Sequence, residues 1–140
     1  MLRLQCKTQS YAWGRCGSQS TVGHIARANN SGEETKDFEG TPFAEYWMGD
    51  HVNGPSQFTV TEESCAWLDE PMFVASHEGQ TVCLSELLQV NEAKFLGNGY
   101  SAQFPHAGTS LAFLFKVLSV RTALSIQAHP DRAMAQLLHA

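Results

Sequence analysis

Ser125, Gln127 and His129 occupy alternate positions in the stretch TALSIQAHP, residues 122–130. Side chains alternate faces along a strand, so these three point one way and Leu124, Ile126 and Ala128 the other. Pro130 follows His129 and pushes its backbone toward an extended conformation. An imidazole and a side-chain amide two residues apart can both reach one small object. A metal ion is one candidate, because neutral imidazole is the commonest metal ligand and an amide oxygen is a hard donor. Two ligands fall short of the four that zinc normally takes. On spacing alone, the solvated face of a half-buried antiparallel strand is the better account.

Lys116 adds a second chemical group. It stands inside LAFLFKVL, among phenylalanine, valine and leucine. Lysine is rarely buried without a partner. On a core strand it either lies at an edge and reaches out to water or faces a polar cavity. If its strand neighbours that of Ser125, the ammonium and the hydroxyl can face one cavity, where both donate to an anion such as phosphate.

The elements that must position these residues follow from periodicity. Leu2, Leu4 and Cys6 alternate with Arg3, Gln5 and Lys7, which predicts a strand. SYAWGRCGSQS turns the chain, punctuated by Gly14 and Gly17. Ser18 or Ser20 can cap a short helix with Val22, Ile25 and Ala26 on one face. ANNSGEETKDFEGTP reads as a loop. FAEYWMG and SQFTV read as strands separated by the turn VNGPS. Leu84, Leu87 and Leu88 predict an amphipathic helix ending near Gly97. NGYSAQFPHAGTS is a loop, with a tight turn expected at Asn98-Gly99. LAFLFKVLSV, the most apolar segment, is expected as a central strand, with TALSIQAH as the next. Pro130 then opens a terminal helix, at a position where its missing N–H costs nothing. The outline is mainly β with short helices, in one domain.

Composition is ordinary for a globular chain, 43% apolar and 16% charged over 140 residues. The net charge is −5 and there is no Lys/Arg cluster, so nothing here suits a phosphate backbone and no nucleic-acid partner is expected. MLRLQCKTQS is too polar for a signal peptide, and no stretch approaches a membrane span of about 20 apolar residues. A cytoplasmic protein without a membrane partner is the expectation. Cys6, Cys16, Cys65 and Cys83 form no C-x-x-C and read as free thiols. Asn29-Asn30-Ser31 matches a glycosylation sequon, which goes unused without a secretory signal.

Three blocks together resemble one family. FLFKVLSVRTALSIQAHPDR is similar to a signature of the type I mannose-6-phosphate isomerases, also called phosphomannose isomerases. FAEYWMGDHVNGPS resembles that family's Ala-Glu-Leu-Trp-Met-Gly-x-His-Pro-x-Gly-Pro-Ser segment, and SYAWGRCGS its Tyr-x-Trp-Gly segment. The blocks occur in family order. The resemblance implies a zinc enzyme of the cupin class, built on a β jelly-roll barrel with an added helical region. Such an enzyme interconverts mannose 6-phosphate and fructose 6-phosphate and supplies GDP-mannose synthesis. By position, Gln127 and His129 match its zinc ligands. Lys116 and Ser125 match residues lining the sugar-phosphate pocket, and Trp13 and Glu45 fall near it.

Some features depart from the family pattern. Its chains are much longer, and its remaining zinc ligands (a glutamate and a second histidine) and catalytic arginine belong to later segments. His24, His51, His77, His106 and His139 do not match that second histidine's motif. The expectation is therefore that residues 1–140 are the N-terminal part of the catalytic cupin domain, an incomplete barrel that is inactive by itself. Val52, Ala112 and Ala123 replace usual prolines, releasing backbone freedom. Arg132 replaces a usual lysine, and SAQFPHAGTS has no clear counterpart. A non-catalytic sugar-phosphate-binding or regulatory product of the same lineage is the alternative. A cupin dioxygenase would need two histidines and a carboxylate, which a glutamine–histidine pair argues against.

Overall fold

The computed structural model describes residues 2–29 and 37–139, without the side chains of Ser64 and Cys65. In chain order the strands are β1 (Lys7–Gln9), β2 (Arg15–Cys16), β3 (Pro42–Phe43), β4 (Glu45–Met48), β5 (Gln57–Thr59), β6 (Thr81–Cys83) and β7 (Phe115–Leu118). The helices are α1 (Thr21–Ala28), α2 (Glu62–Cys65), α3 (Pro71–His77), α4 (Leu84–Val90), α5 (Glu92–Phe95), α6 (Tyr100–Gln103) and α7 (Arg132–Leu138). The strands form one three-stranded sheet, β1-β4-β7, and two ribbons, β2-β3 and β5-β6, all antiparallel. Helical residues outnumber strand residues. The architecture is therefore mixed rather than mainly β, and no barrel closes among the described residues. None of the described helices is long and apolar enough to cross a membrane.

The β1-β4-β7 sheet is organised by β4, whose sequence EYWM is rich in residues that fit a pleated, half-buried surface. Its register pairs Lys7 with Trp47 and Gln9 with Glu45 on one side, and Lys116 with Trp47 and Leu118 with Glu45 on the other. Directly paired residues share a face. Lys7, Gln9, Glu45, Trp47, Lys116 and Leu118 thus line one surface, while Tyr46, Met48 and Val117 turn to the other. The second surface is covered by α1 and closes on Cys6, Val22, Phe43 and Tyr46, with Ile25, Ala26 and Phe38 at the margin.

Helix α1 begins where the sequence places it. The Ser20 hydroxyl oxygen accepts the Gly23 N–H at 3.1 Å and its hydrogen goes to the Phe43 carbonyl at 2.8 Å, so the cap also ties the helix to β3. Gly14 lies so close to Ala44 that an added Cβ would stand 2.7 Å from the Ala44 Cα. Gly17 has φ +46°, a left-handed conformation that glycine adopts without penalty.

A second core lies under the β5-β6 ribbon. Phe58, Val60, Leu68, Phe73, Val82 and Leu87 are buried there. Leu4 packs against both cores, and Gln5 and Gln57 exchange backbone hydrogen bonds of 2.7 and 2.9 Å, so the N-terminal segment joins the two halves.

Several sequence expectations shift. The alternation of Leu2, Leu4 and Cys6 shows in burial, but the ladder itself starts at Lys7. The segment 61–83, for which the sequence predicts no element, contains α2, α3 and β6, and the loop after Gly97 contains α6. The long helix over 84–97 divides at Asn91, whose side-chain oxygen accepts the Lys94 N–H at 3.2 Å and caps α5. Asparagine favours a cap over a helix interior because its side chain competes for backbone partners. Cys6, Cys16 and Cys83 are free thiols, while the side chain of Cys65 and the sequon residues Asn30 and Ser31 lie outside the described residues.

Two corrections affect the site. The segment 111–120 does not form a central strand. Only Phe115–Leu118 is a strand, at the edge of the sheet, and Phe115 is 60% exposed. The segment 122–129 is not a strand, since it lacks ladder pairing. The terminal helix starts at Arg132 with Asp131 as its cap, the carboxylate accepting the Met134 N–H at 2.8 Å, so Pro130 precedes the helix rather than opening it.

Candidate sugar-phosphate and metal site

Two groups of the sequence-derived residues come together, and they remain distinct. The first is on the polar face of the three-stranded sheet. Glu45 is 6% exposed and Trp47 8%. They stand two apart on β4 and point the same way, and the Trp47 Nε1–H donates to Glu45 Oε2 at 2.6 Å. Lys116 arrives from β7, 71 residues along the chain, because register sets it opposite Trp47. Its Nζ lies 3.3 Å from Glu45 Oε2 and 3.4 Å from Oε1, and 5.3 Å from the Trp47 ring centroid. His51 packs edge-on against the same indole, with centroids 5.1 Å apart.

Of the two candidate placements of Lys116, the strand edge is the one observed. The residue is on an edge strand, with 38% of its side chain exposed, and it is also paired with a buried carboxylate. A carboxylate this desolvated needs compensating donors, and the indole N–H and the ammonium supply them. Sequence reasoning missed Trp47. The signal was present, because Glu45 and Trp47 have the same i, i+2 spacing that singled out Gln127 and His129.

The second group lies on the segment after β7. Residues 119–122 are clamped by the Trp13 loop. Arg15 N–H donates to the Ser119 carbonyl (3.0 Å), and the Arg121 and Thr122 N–H groups donate to the Trp13 carbonyl (2.9 and 3.3 Å). The guanidinium groups of Arg15 and Arg121 reach the carbonyls of Val120 and Ala12, each at 3.0 Å. Trp13 itself is half-buried and stacks on Tyr11 at 5.6 Å. Beyond the clamp, residues 123–131 are exposed. Ser125 and Gln127 keep the common side expected of them: the Gln127 amide N–H donates to Ser125 Oγ at 3.3 Å. Lys116 and Ser125 share no hydrogen bond; each is bonded within its own group.

The donor set of this segment fits part of a zinc site. With the Gln127 amide nitrogen donating to Ser125, its oxygen is the atom that could ligate, and His129 stands two residues on in the chain. An amide oxygen and an imidazole would be two of the four ligands zinc takes. Among the described residues there is no cluster of three or more His, Cys, Asp or Glu side chains that could hold a metal.

Known structures give the class first. The fold aligns over 98% of this chain with a variant of phosphomannose isomerase from Salmonella typhimurium, at a TM-score of 0.64 and 27% identity. It aligns over 97% with a zinc-bound mannose 6-phosphate isomerase, at a TM-score of 0.63 and 29% identity. Each alignment covers 27% of the known chain. The fold is thus that of an isomerase segment. Residues 1–140 match the family model "Phosphomannose isomerase type I, catalytic domain", and the chain belongs to that family. Curated relatives agree. The chain is 37% identical over 139 residues to mannose-6-phosphate isomerase of Eremothecium gossypii, and 40% identical over 140 residues to a probable mannose-6-phosphate isomerase of Echinococcus multilocularis. It spans 27% of the length of each.

Proposed function

We propose that this chain is the N-terminal part of the catalytic cupin domain of a zinc-dependent isomerase that interconverts mannose 6-phosphate and fructose 6-phosphate. The observation that carries the reading is the meeting of Lys116, Glu45 and Trp47 on one sheet face, adjoining a family block at each strand. Within it, Gln127 and His129 are zinc ligands, and Lys116, Ser125, Glu45 and Trp13 line the sugar-phosphate pocket. The zinc-bound relative supports the metal.

The reaction moves a proton between C1 and C2 of the sugar. Bound zinc supplies Lewis acidity toward the carbonyl and hydroxyl oxygens. The chain's own residues bind and orient. Lys116 presents a cation to an anionic substrate, Ser125 offers a hydroxyl donor, and Glu45 offers an acceptor for sugar hydroxyls. A phosphate held away from the reacting carbons serves as a handle whose binding energy orients them.

Because two zinc ligands are half a site, the isolated chain with added zinc is expected to form no fructose 6-phosphate. A chimera in which it replaces the matched segment of the Saccharomyces cerevisiae mannose-6-phosphate isomerase, to which it is 35% identical over 140 residues, is expected to turn over. His129→Ala in that chimera is expected to remove zinc and activity together. A folded, zinc-loaded chimera without isomerase activity would overturn the reading. Zinc content unchanged by His129→Ala would remove that residue from the ligands.

A further inference from the structure

We infer that Trp47 is a positioning residue: its indole N–H, and not Lys116, fixes the orientation of the Glu45 carboxylate on the ligand-facing side of the sheet. The inference rests on the reading above for what that face receives, but its geometry stands separately. The distances separate the two partners of Glu45. The indole bond is 2.6 Å, whereas the ammonium stands 3.3 and 3.4 Å from the two oxygens. A tight ammonium–carboxylate hydrogen bond is about 2.7–2.9 Å, so the ion pair is loose and the indole bond is close.

Burial points the same way. Trp47 and Glu45 are almost wholly enclosed, while over a third of the Lys116 side chain faces solvent. The indole is fixed by the backbone pairing of β4 on both sides, to Lys7 and to Lys116, and by the His51 ring against it. A rigid aromatic donor two residues away on the same strand face can hold Oε2 in one place. A lysine with rotatable bonds and three donors cannot do so alone. The consequence is a division of labour. Glu45 is a fixed acceptor, with Oε1 free of the indole bond. Lys116 rests over the indole face and can turn toward an anion without releasing Glu45. Trp47 thereby acts on the sugar part of a ligand, since the held carboxylate accepts from sugar hydroxyls while the ammonium of Lys116 meets the anion.

Two measurements on the chimera with the Saccharomyces cerevisiae enzyme test this. In the first, solvent exchange of the Trp47 indole N–H is followed by nuclear magnetic resonance. Lys116→Met should leave its protection within about twofold, and Glu45→Gln should lower it about tenfold, the loss expected when a charged acceptor becomes a neutral amide oxygen. Loss of protection in Lys116→Met, or none in Glu45→Gln, overturns the inference. Both variants keep the indole in place, so the result does not depend on Trp47→Phe folding.

In the second, mannose 6-phosphate and inorganic phosphate are titrated into the unsubstituted chimera and its Trp47→Phe variant. The variant should lose several-fold in mannose 6-phosphate affinity and leave inorganic phosphate unchanged, a split that a general loss of stability does not produce. Equal losses for both ligands overturn the inference. If the unsubstituted chimera prefers neither ligand, the sugar-phosphate reading of this face fails, and the exchange measurement still decides the role of Trp47.

Discussion

Glu45 carries a charge in a nearly dry place, compensated by one indole N–H and one ammonium. Ser20 faces the same problem without a charge. It is fully buried, and its hydroxyl both accepts from the first turn of α1 and donates to the Phe43 carbonyl. Ser20→Ala removes the cap and orphans two buried backbone groups. The cap is worth about 1 kcal/mol, and the lost bond to the buried Phe43 carbonyl adds about 1–3 kcal/mol. The expected result is a lower urea midpoint with an unchanged slope. Ser20 was legible from sequence as one of two cap candidates, because capping is local. Its second bond, to β3, was not, because nothing local brings Phe43 to it.

At the scale of elements, two close approaches control the site. Gly14 meets Ala44 backbone against backbone, which brings the Trp13 loop onto the strand that carries Glu45. Gly14→Ala would place a Cβ inside contact distance of an atom that cannot turn away. Overpacking of this kind costs about 1–3 kcal/mol, and the Arg121 and Thr122 N–H groups held by Trp13 should exchange faster. Hydrogen exchange on those two amides checks it. The division of α4 from α5 gives a second test. Asn91 caps α5 and its amide also donates to Glu70 at 3.2 Å. Asn91→Ala should cost about 1 kcal/mol, measured by thermal unfolding. The elements missed by sequence reading have weak periodicity rather than weak signals at their ends. Helix α3 has Pro71 at its first turn and Gly79 just beyond it, yet it buries one phenylalanine, Phe73. The apolar run 111–120 misled in the other direction. Its hydrophobicity suggested a centre of a sheet, and its strand β7 pairs with β4 at the sheet edge.

Across the molecule, the N-terminal segment joins the two cores. Phe58 is fully buried in the second core, and its loss to alanine should cost about 3–5 kcal/mol in urea denaturation. Leu4 touches both cores, and Gln5 is bonded to Gln57 beside it. Leu4→Ala should therefore weaken both halves together, read as simultaneous loss of protection in α1 and in β5. A loss confined to one half would show that the cores unfold independently.

The sequence by itself determined what depends on near neighbours. The cap at Ser20, the aromatic strand after Pro42, the turn to β5 and the terminal helix follow from residue types a few positions apart. So does the contact of Ser125 with Gln127, two residues apart, which needs no strand partner. The family blocks, read together, fixed membership of the isomerase lineage. Tertiary structure decided which chemical groups meet. Lys116 could face water or a cavity until antiparallel register set it opposite Trp47 and beside Glu45. That same register made Trp47 part of the site. Pairing between strands so far apart in the chain is set by the ladder and the buried face behind it, and neither is written in the local sequence of either strand.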